Sequence, residues 1–268
     1  MKRVTPHDDW PASWRTSYQY DRLEIYDYRE RLGHTYAYAN RRAHTLRLVR
    51  EAGLRDGATI LDVAAAQGNF SLWLAELGYD VTWNDLRQEL AGYVRLKYET
   101  GQLQFAPGNA FELDFPGRFD MVLATEVLEH VAHPDQFLRQ LRGLVRPGGC
   151  IVVTTPNGGY FRSGLPTFSE IEDFAALEAQ QFKPDADGHL FLLRAQELRD
   201  LARTAGLLVE ELVIFGNSLT SGHIKLERLL RVLPRELVET LERASQRLPT
   251  PLAQKLFTQL GARLRAPC

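Results

Sequence analysis

Through the middle of the chain, short apolar runs alternate with longer segments whose apolar residues recur at helical spacing. Ile60, Leu61 and Val63 form a run ended by small residues, the pattern of a strand buried on both faces. A turn of Ala64, Ala65, Ala66, Gln67 and Gly68 follows. Phe70, Leu72, Trp73, Leu74 and Leu77 then share one helix face, and Gly78 closes it. Tyr79, Val81 and Trp83 alternate as a second strand that ends at Asp85. Beyond it the pattern predicts a helix over 86–98, strands over 102–106 and 119–125, a helix over 135–145 and a strand over 150–155. A helix and a sixth strand occupy 193–215. Strands that alternate with helices predict an α/β protein with a doubly wound, mostly parallel sheet. Ligands of such sheets gather at the carboxyl ends of the strands, where Asp62, Asp85, Asn109 and Thr125 fall.

Three segments flank this core or interrupt it. Residues 1–57 hold Trp10, Trp14 and six of the ten tyrosines (Tyr18, Tyr20, Tyr26, Tyr28, Tyr36 and Tyr38), with a helical pattern over 34–52. We read this extension as a lid over the ligand edge, with aromatic packing as the role of most single tyrosines. The connection 157–192 is long for its place and is broken by Gly158, Gly159, Gly164, Pro166 and Pro184. It suggests a short helix over 171–181 capped by Ser169, and Tyr160, Phe161 and Phe168 are candidate pocket walls. After 58–216, the tail 217–268 reads as helical. From 223 onward it carries nine Lys/Arg against four Glu. Packing, on the domain or on a second subunit as in a homodimer, is one reading of this amphipathic tail. Peripheral contact with an anionic membrane is the other.

The 268 residues, 44% hydrophobic and 25% charged with a net charge of −2, suit one large decorated soluble domain, or one and a half domains. That charge gives no reason to expect a nucleic-acid partner, and no basic stripe with interleaved aromatics marks an RNA surface. Two cysteines, Cys150 and Cys268, make no disulfide framework, so a reducing cytoplasm is the expected setting. The first residues lack an apolar signal core, and no run approaches the ~18 residues that span a bilayer.

The unit from Thr59 to Asp85 brings chemistry. Small residues in the turn let backbone approach a ligand, and the helix N-terminus offers free N–H groups. Asp85 stands 23 positions after Asp62, near the ~20-residue spacing of acids that bind ribose hydroxyls. The turn Asp62-Val-Ala64-Ala-Ala66-Gln-Gly68 resembles motif I of the class I S-adenosylmethionine-dependent methyltransferases, with Ala in place of two glycines. A Cβ disfavours positive φ, so an ordinary backbone is expected at Ala64 and Ala66, with Gly68 the point of closest approach. Glu126-Val-Leu-Glu-His130-Val, Leu-Val-Arg-Pro-Gly-Gly149, Thr155-Pro-Asn157 and Gly188-His189-Leu-Phe sharpen the resemblance to the ubiquinone-biosynthesis O-methyltransferase type over about residues 55–215.

The resemblance implies a Rossmann-like methyltransferase fold with S-adenosyl-L-methionine as methyl donor. Asp85, followed by Leu86, would bind the ribose hydroxyls. Asp62, Ala64, Ala66 and Gly68 belong to the motif, whose turn would face the methionine part. Asn109 would accept from the adenine amino group, with Ala110 and Phe111 beside the ring. Thr125 and Glu126 would lie near the methionine moiety. It also implies a seventh, antiparallel strand, which the pattern after Gly216 does not display.

Glu126, Glu129 and His130 would share one face if their turn is helical, and Glu and His are good ligands for a divalent ion. With His189, they resemble the metal site of small-RNA 2′-O-methyltransferases, which implies Mg²⁺ or Mn²⁺ bound to vicinal hydroxyls. Two other readings stay open: His130 or His133 as general base, and polar helix residues without chemistry. The expected activity is O-methylation of a small hydroxylated acceptor, such as a sugar, glycan intermediate, phenol or natural product. N- or C-methylation, or a cofactor-binding subunit without turnover, are the alternatives.

Overall fold

In a computed structural model the described residues are 1–27, 29–181 and 188–268, so Tyr28 and Pro184 fall outside them. The central predicted strands form because their apolar residues find helices on both faces. The strands are β1 (Thr59–Asp62), β2 (Asp80–Trp83), β3 (Gln102–Phe105), β4 (Phe119–Thr125), β5 (Val145–Pro156), β6 (Leu208–Asn217) and β7 (Phe257–Arg265). They form one sheet in the order β3-β2-β1-β4-β5-β7-β6. The neighbours among β1 to β5 pair in parallel. Successive residues serve opposite faces, as strand geometry requires. Ile60, Met121 and Val152 pack with Leu48, Val49 and Leu74 on one side. Leu61, Val122 and Ile151 pack with Leu138, Leu141 and Leu198 on the other.

The tail departs from its helical reading. Helices α8 (Glu227–Val232), α9 (Arg235–Ser245) and α10 (Thr250–Leu256) are present, but the chain then leaves α10 directly into β7. β7 inserts antiparallel between β5 and β6, so the seventh strand exists and 257–265 belong to the core. Leu252, Leu256 and Leu260 follow helical spacing and overlap the alternation of Leu260, Ala262, Leu264 and Ala266, which all join one face of the core. Phe257, Leu260, Ala262 and Leu264 are all buried.

The other helices are α1 (Ala12–Glu24), α2 (Leu32–Arg50), α3 (Asn69–Glu76), α4 (Leu90–Lys97), α5 (Pro134–Leu144), α6 (Phe174–Glu178) and α7 (Ala195–Thr204). The helix expected over 86–98 begins only at Leu90, because Arg87 turns back to bond the Asp85 carboxylate. Ser169 caps nothing; Asp173 caps α6 through the Ala176 N–H, and Thr167 with Glu170 closes a preceding single turn. The N-terminal aromatics pack against the edge of the domain. Trp10 and Tyr18 meet Tyr93 of α4 in one buried cluster, with Trp10 and Tyr93 edge-on at 5.7 Å.

Candidate active site

The turn after β1 departs from the ordinary backbone expected of alanines. Ala64 has φ 54°, Ala66 has φ 49° and Gly68 has φ 70°, so both alanines occupy the left-handed region that costs about 1–2 kcal/mol each. Local bonds hold them there. Ala65 N–H donates to the Asn84 carbonyl at 2.8 Å, Ala66 N–H to the Asp85 carboxylate at 2.8 Å, and the Trp83 indole to the Ala66 carbonyl at 3.0 Å. Gly68, expected at the closest approach to a ligand, is also closely approached by the protein itself. A Cβ there would stand 2.8 Å from a methyl of Val94 and 3.2 Å from Trp83, so the crowding is with α4 and β2.

Two abutting cavities open at the carboxyl ends of the strands. One, of about 590 Å³, is bordered by Ala64, Ala66, Asp85, Leu86, Thr125, Glu126 and His130, and from the N-terminal extension by Tyr20, Glu24, Tyr38 and Arg41. The second, of about 480 Å³, is bordered by Ala64, Leu86, Asn109, Ala110, Phe111 and His133. Together they hold most of the predicted binding residues in one elongated space of ligand size. The Asn109 side-chain oxygen accepts the Phe111 N–H at 3.2 Å, and Asp85 is 3% exposed at the tip of β2.

Asp62 borders neither cavity. It lies behind the turn, accepting the Ser71 hydroxyl at 2.5 Å, and burial pushes its carboxyl up to about 7 against the bond from Ser71. One of its oxygens is buried without a partner. Tyr160, Phe161 and Phe168 border neither cavity either. Tyr160 packs on Phe161 and His223, and Phe168 joins Phe174 and Phe191 in a side cluster of the core. His133 borders the second cavity, stacks on Phe174 and bonds Glu178 at 2.6 Å.

The N-terminal extension is fastened to the turn by a polar network that no spacing reveals. Lys97, at the end of α4, contacts Asp21 of α1 at 2.7 Å and Asn69 at 2.6 Å, wholly buried. Asn69 in turn donates to Asp21 at 2.9 Å. Gln67 donates to Glu24 at 3.0 Å, whose other oxygen lies 3.4 Å from His34. Arg41 of α2 meets Glu126 at 2.9 Å. Asp21 and Lys97 are 76 positions apart. The only sequence signal available was a charged residue on an otherwise apolar helix face.

Glu129, His130 and His189 converge, each offering a ligand atom within 4.8 Å of the others. Glu129 is fully buried; Oε2 accepts the Thr155 hydroxyl at 2.9 Å. Oε1 has no hydrogen-bond partner and lies 4.0 Å from His130 Nε2 and 3.9 Å from His189 Nε2. The Leu190 N–H donates to the Glu129 carbonyl at 2.8 Å and pins the His189 segment there. Burial, with the Glu126 charge behind it, pushes the Glu129 carboxyl well up. Burial and then His130 push His189 down. A buried, unanswered carboxylate oxygen facing two imidazoles fits a divalent cation in donor type and in charge. Glu126 stands outside this group. Only 128–130 form a helical turn, a 3₁₀ one, and Glu126 precedes it at φ 56°, held by Arg41, by Thr154 at 2.8 Å and by Gln259 of β7 at 3.2 Å.

The methyltransferase domain family matches residues 30–212 of this chain. The chain is 33% identical over 172 residues to a ubiquinone biosynthesis O-methyltransferase of Aromatoleum aromaticum, covering 61% of this chain and 69% of that protein. Its likeness to the enzyme of that name from Xanthomonas euvesicatoria is 32% over 160 residues, or 58% of this chain and 64% of the other. An S-adenosylmethionine-dependent methyltransferase structure from Mesorhizobium loti superposes with a TM-score of 0.54 at 16% identity, over 83% of this chain and 96% of its own, which speaks for the fold alone.

Proposed function

Since the chain belongs to the S-adenosylmethionine-dependent methyltransferases, we propose that it methylates an oxygen of a small hydroxylated acceptor, of the class of sugars, glycan intermediates, phenols or natural products. The convergence of Glu129, His130 and His189 around one unanswered carboxylate oxygen carries this reading. The names of the relatives, O-methyltransferases, support it. Bound S-adenosylmethionine supplies an activated methyl on a sulfonium. Mg²⁺ or Mn²⁺ held by the three side chains would supply the positive charge that lowers the pKa of acceptor hydroxyls.

The chain's own residues bind and align. Asp85 accepts from both ribose hydroxyls, since a carboxylate takes two such bonds. Asn109 accepts from the adenine amino group, with Ala110 and Phe111 along the ring and Leu86 between the two cavities. The turn from Ala64 to Gly68, with Thr125 and Glu126 opposite, holds the methionine portion, and Asp62 supports that turn from behind. The lid residues Tyr20 and Tyr38 close the acceptor side and exclude water, which strengthens every charge inside. Alignment of this kind lowers a displacement barrier by several kcal/mol. His130 borders the larger cavity, which favours a second reading: it accepts the proton of a single hydroxyl or amine at its imidazole nitrogen. Two unbridged cysteines, Cys150 and Cys268, support a cytoplasmic setting.

Calorimetric titration of Mg²⁺ and Mn²⁺ into chelator-stripped protein saturated with S-adenosylhomocysteine tests the first reading. Saturable binding that disappears in Glu129→Ala is the expected result. No binding by either protein retires the metal, and His130→Ala then becomes the variant to assay on single hydroxyls and amines.

A further inference from the structure

Helix α2 begins without a cap of its own. Its N-cap residue is Arg31, whose side chain makes no cap hydrogen bond, and no acid stands in its first turn. The free N–H groups of a helix start are ordinarily answered by Ser, Thr, Asp or Asn at that position, and a guanidinium accepts nothing. The acceptor comes instead from 195 positions away. Glu227, the first residue of α8, accepts the Leu32 N–H at 2.7 Å through Oε1 and the Gly33 N–H at 3.2 Å through Oε2. Both carboxylate oxygens thus meet the end of α2 where the helix dipole is positive. Arg231, one turn further along α8, lies 3.8 Å from Oε1 and donates to the Glu30 carbonyl at 3.3 Å.

The contact around this carboxylate is close-fitting. A Cβ on Gly33 would stand 2.6 Å from the Gly222 nitrogen and collide with the Gly222 Cα, so α2 and the loop that precedes α8 meet backbone to backbone. Leu32 and Tyr36 of α2 pack with Leu230 of α8 and Val238 of α9 in one buried cluster. Arg235 of α9 reaches Asp27 at 3.2 Å. The segment between β6 and β7 therefore grips the first turns of α2, as Lys97 and Asn69 grip α1 through Asp21.

The next turns of the same helix reach the candidate active site. Tyr38 and Arg41 border the larger cavity, and Arg41 meets Glu126 at 2.9 Å. At 1.5 Å per residue they lie only about 9 and 14 Å along the axis from Leu32. Gln259 of β7 bonds the same Glu126 oxygen from the other side at 3.2 Å. A helix end without partners for its N–H groups frays, and fraying here would loosen the turns that carry Tyr38 and Arg41.

We propose that Glu227 is a positioning residue for cofactor binding: from the segment between β6 and β7 it caps α2 and so holds Tyr38 and Arg41 at the cavity. The inference rests on the cofactor placement proposed above, and Asp85→Ala tests that placement separately. The experiment is calorimetric titration of S-adenosylhomocysteine into the full chain. It compares wild type, Asp85→Ala, Glu227→Ala, Glu227→Gln, and Glu227→Ala combined with Arg31→Asp, which places a cap within α2 itself. Circular dichroism and a cooperative melt show that each variant is folded. Loss of a cap shifts a local helix equilibrium about two- to thirtyfold, and affinity falls with the binding-competent fraction. Glu227→Ala is therefore expected to bind about threefold or more weakly, and Glu227→Gln, which keeps one acceptor oxygen, to fall between it and wild type. The Arg31→Asp cap should return the affinity to within about twofold of wild type. Two results would each overturn the proposal. One is wild-type affinity in Glu227→Ala beside a loss in Asp85→Ala. The other is a weakened Glu227→Ala that Arg31→Asp does not restore, which would leave Glu227 a packing residue of α8.

Discussion

Lys97 Nζ lies 2.7 Å from Asp21 Oδ2 with both side chains withdrawn from solvent, and the same carboxylate oxygen accepts the Tyr93 hydroxyl at 2.7 Å. Burial lowers the Lys97 pKa and the Asp21 charge opposes that shift. A buried pair adds little net stability over an apolar one, but removal of one partner strands a charge. Lys97→Met should therefore cost about 3–5 kcal/mol in denaturant unfolding. Asp21→Leu combined with Lys97→Met should recover a large part of that loss. Equal stability of the single and double variants would show that the two residues do not act as a pair. Since Asn69 and Gln67 hang on the same network, the single variant should also bind S-adenosylhomocysteine more weakly.

Asp85 is the sharpest test of the cofactor site. Two charge-assisted bonds, each about 1.5–3 kcal/mol, predict at least a hundredfold loss of S-adenosylhomocysteine affinity in Asp85→Ala. Asp85→Asn should fall between. Calorimetric affinities equal to wild type would remove Asp85 from the site.

The alanines of the turn hold strain that glycine would release. Ala66→Gly should gain on the order of 0.5 kcal/mol, the left-handed penalty less the extra entropy of an unfolded glycine. Ala66→Val should lose about 1–3 kcal/mol, because a β-branched side chain tolerates positive φ poorly. Thermal melts decide the matter: a valine variant as stable as the glycine variant contradicts the backbone described here.

Asp62 predicts a specific dependence of stability on pH. Its carboxyl is raised from 3.8 to about 7 by burial, so the folded state holds a proton that the unfolded chain has released. This contribution is full below about pH 4 and is lost as pH rises through 7, at about 1.4 kcal/mol per unit over the window. Asp62→Asn keeps an acceptor for Ser71 and cannot ionise. Relative to wild type it should grow more stable from pH 5 to pH 7.5, and parallel melting curves across that range would count against a protonated Asp62.

What the chain determined on its own was the alternation. Runs at Ile60, Met121 and Ile151 specify strands buried on both faces, and the helical spacing between them forces parallel pairing with helices above and below. The acid at the end of β2 and the family motifs then placed the ligand edge. The pattern read as helical missed β7, because the helical spacing of Leu252, Leu256 and Leu260 runs into the short alternation of Leu260, Ala262 and Leu264. Nor could it place Lys97 against Asp21, a contact that exists only once the N-terminal extension has folded onto the sheet, and it was the family resemblance, not the patterning, that set His189 beside Glu129. The left-handed alanines belong with these. Their penalty is local, but the bonds from Asp85, Asn84 and Trp83 that outweigh it are supplied by the neighbouring strand, so only the tertiary structure could settle the shape of the turn.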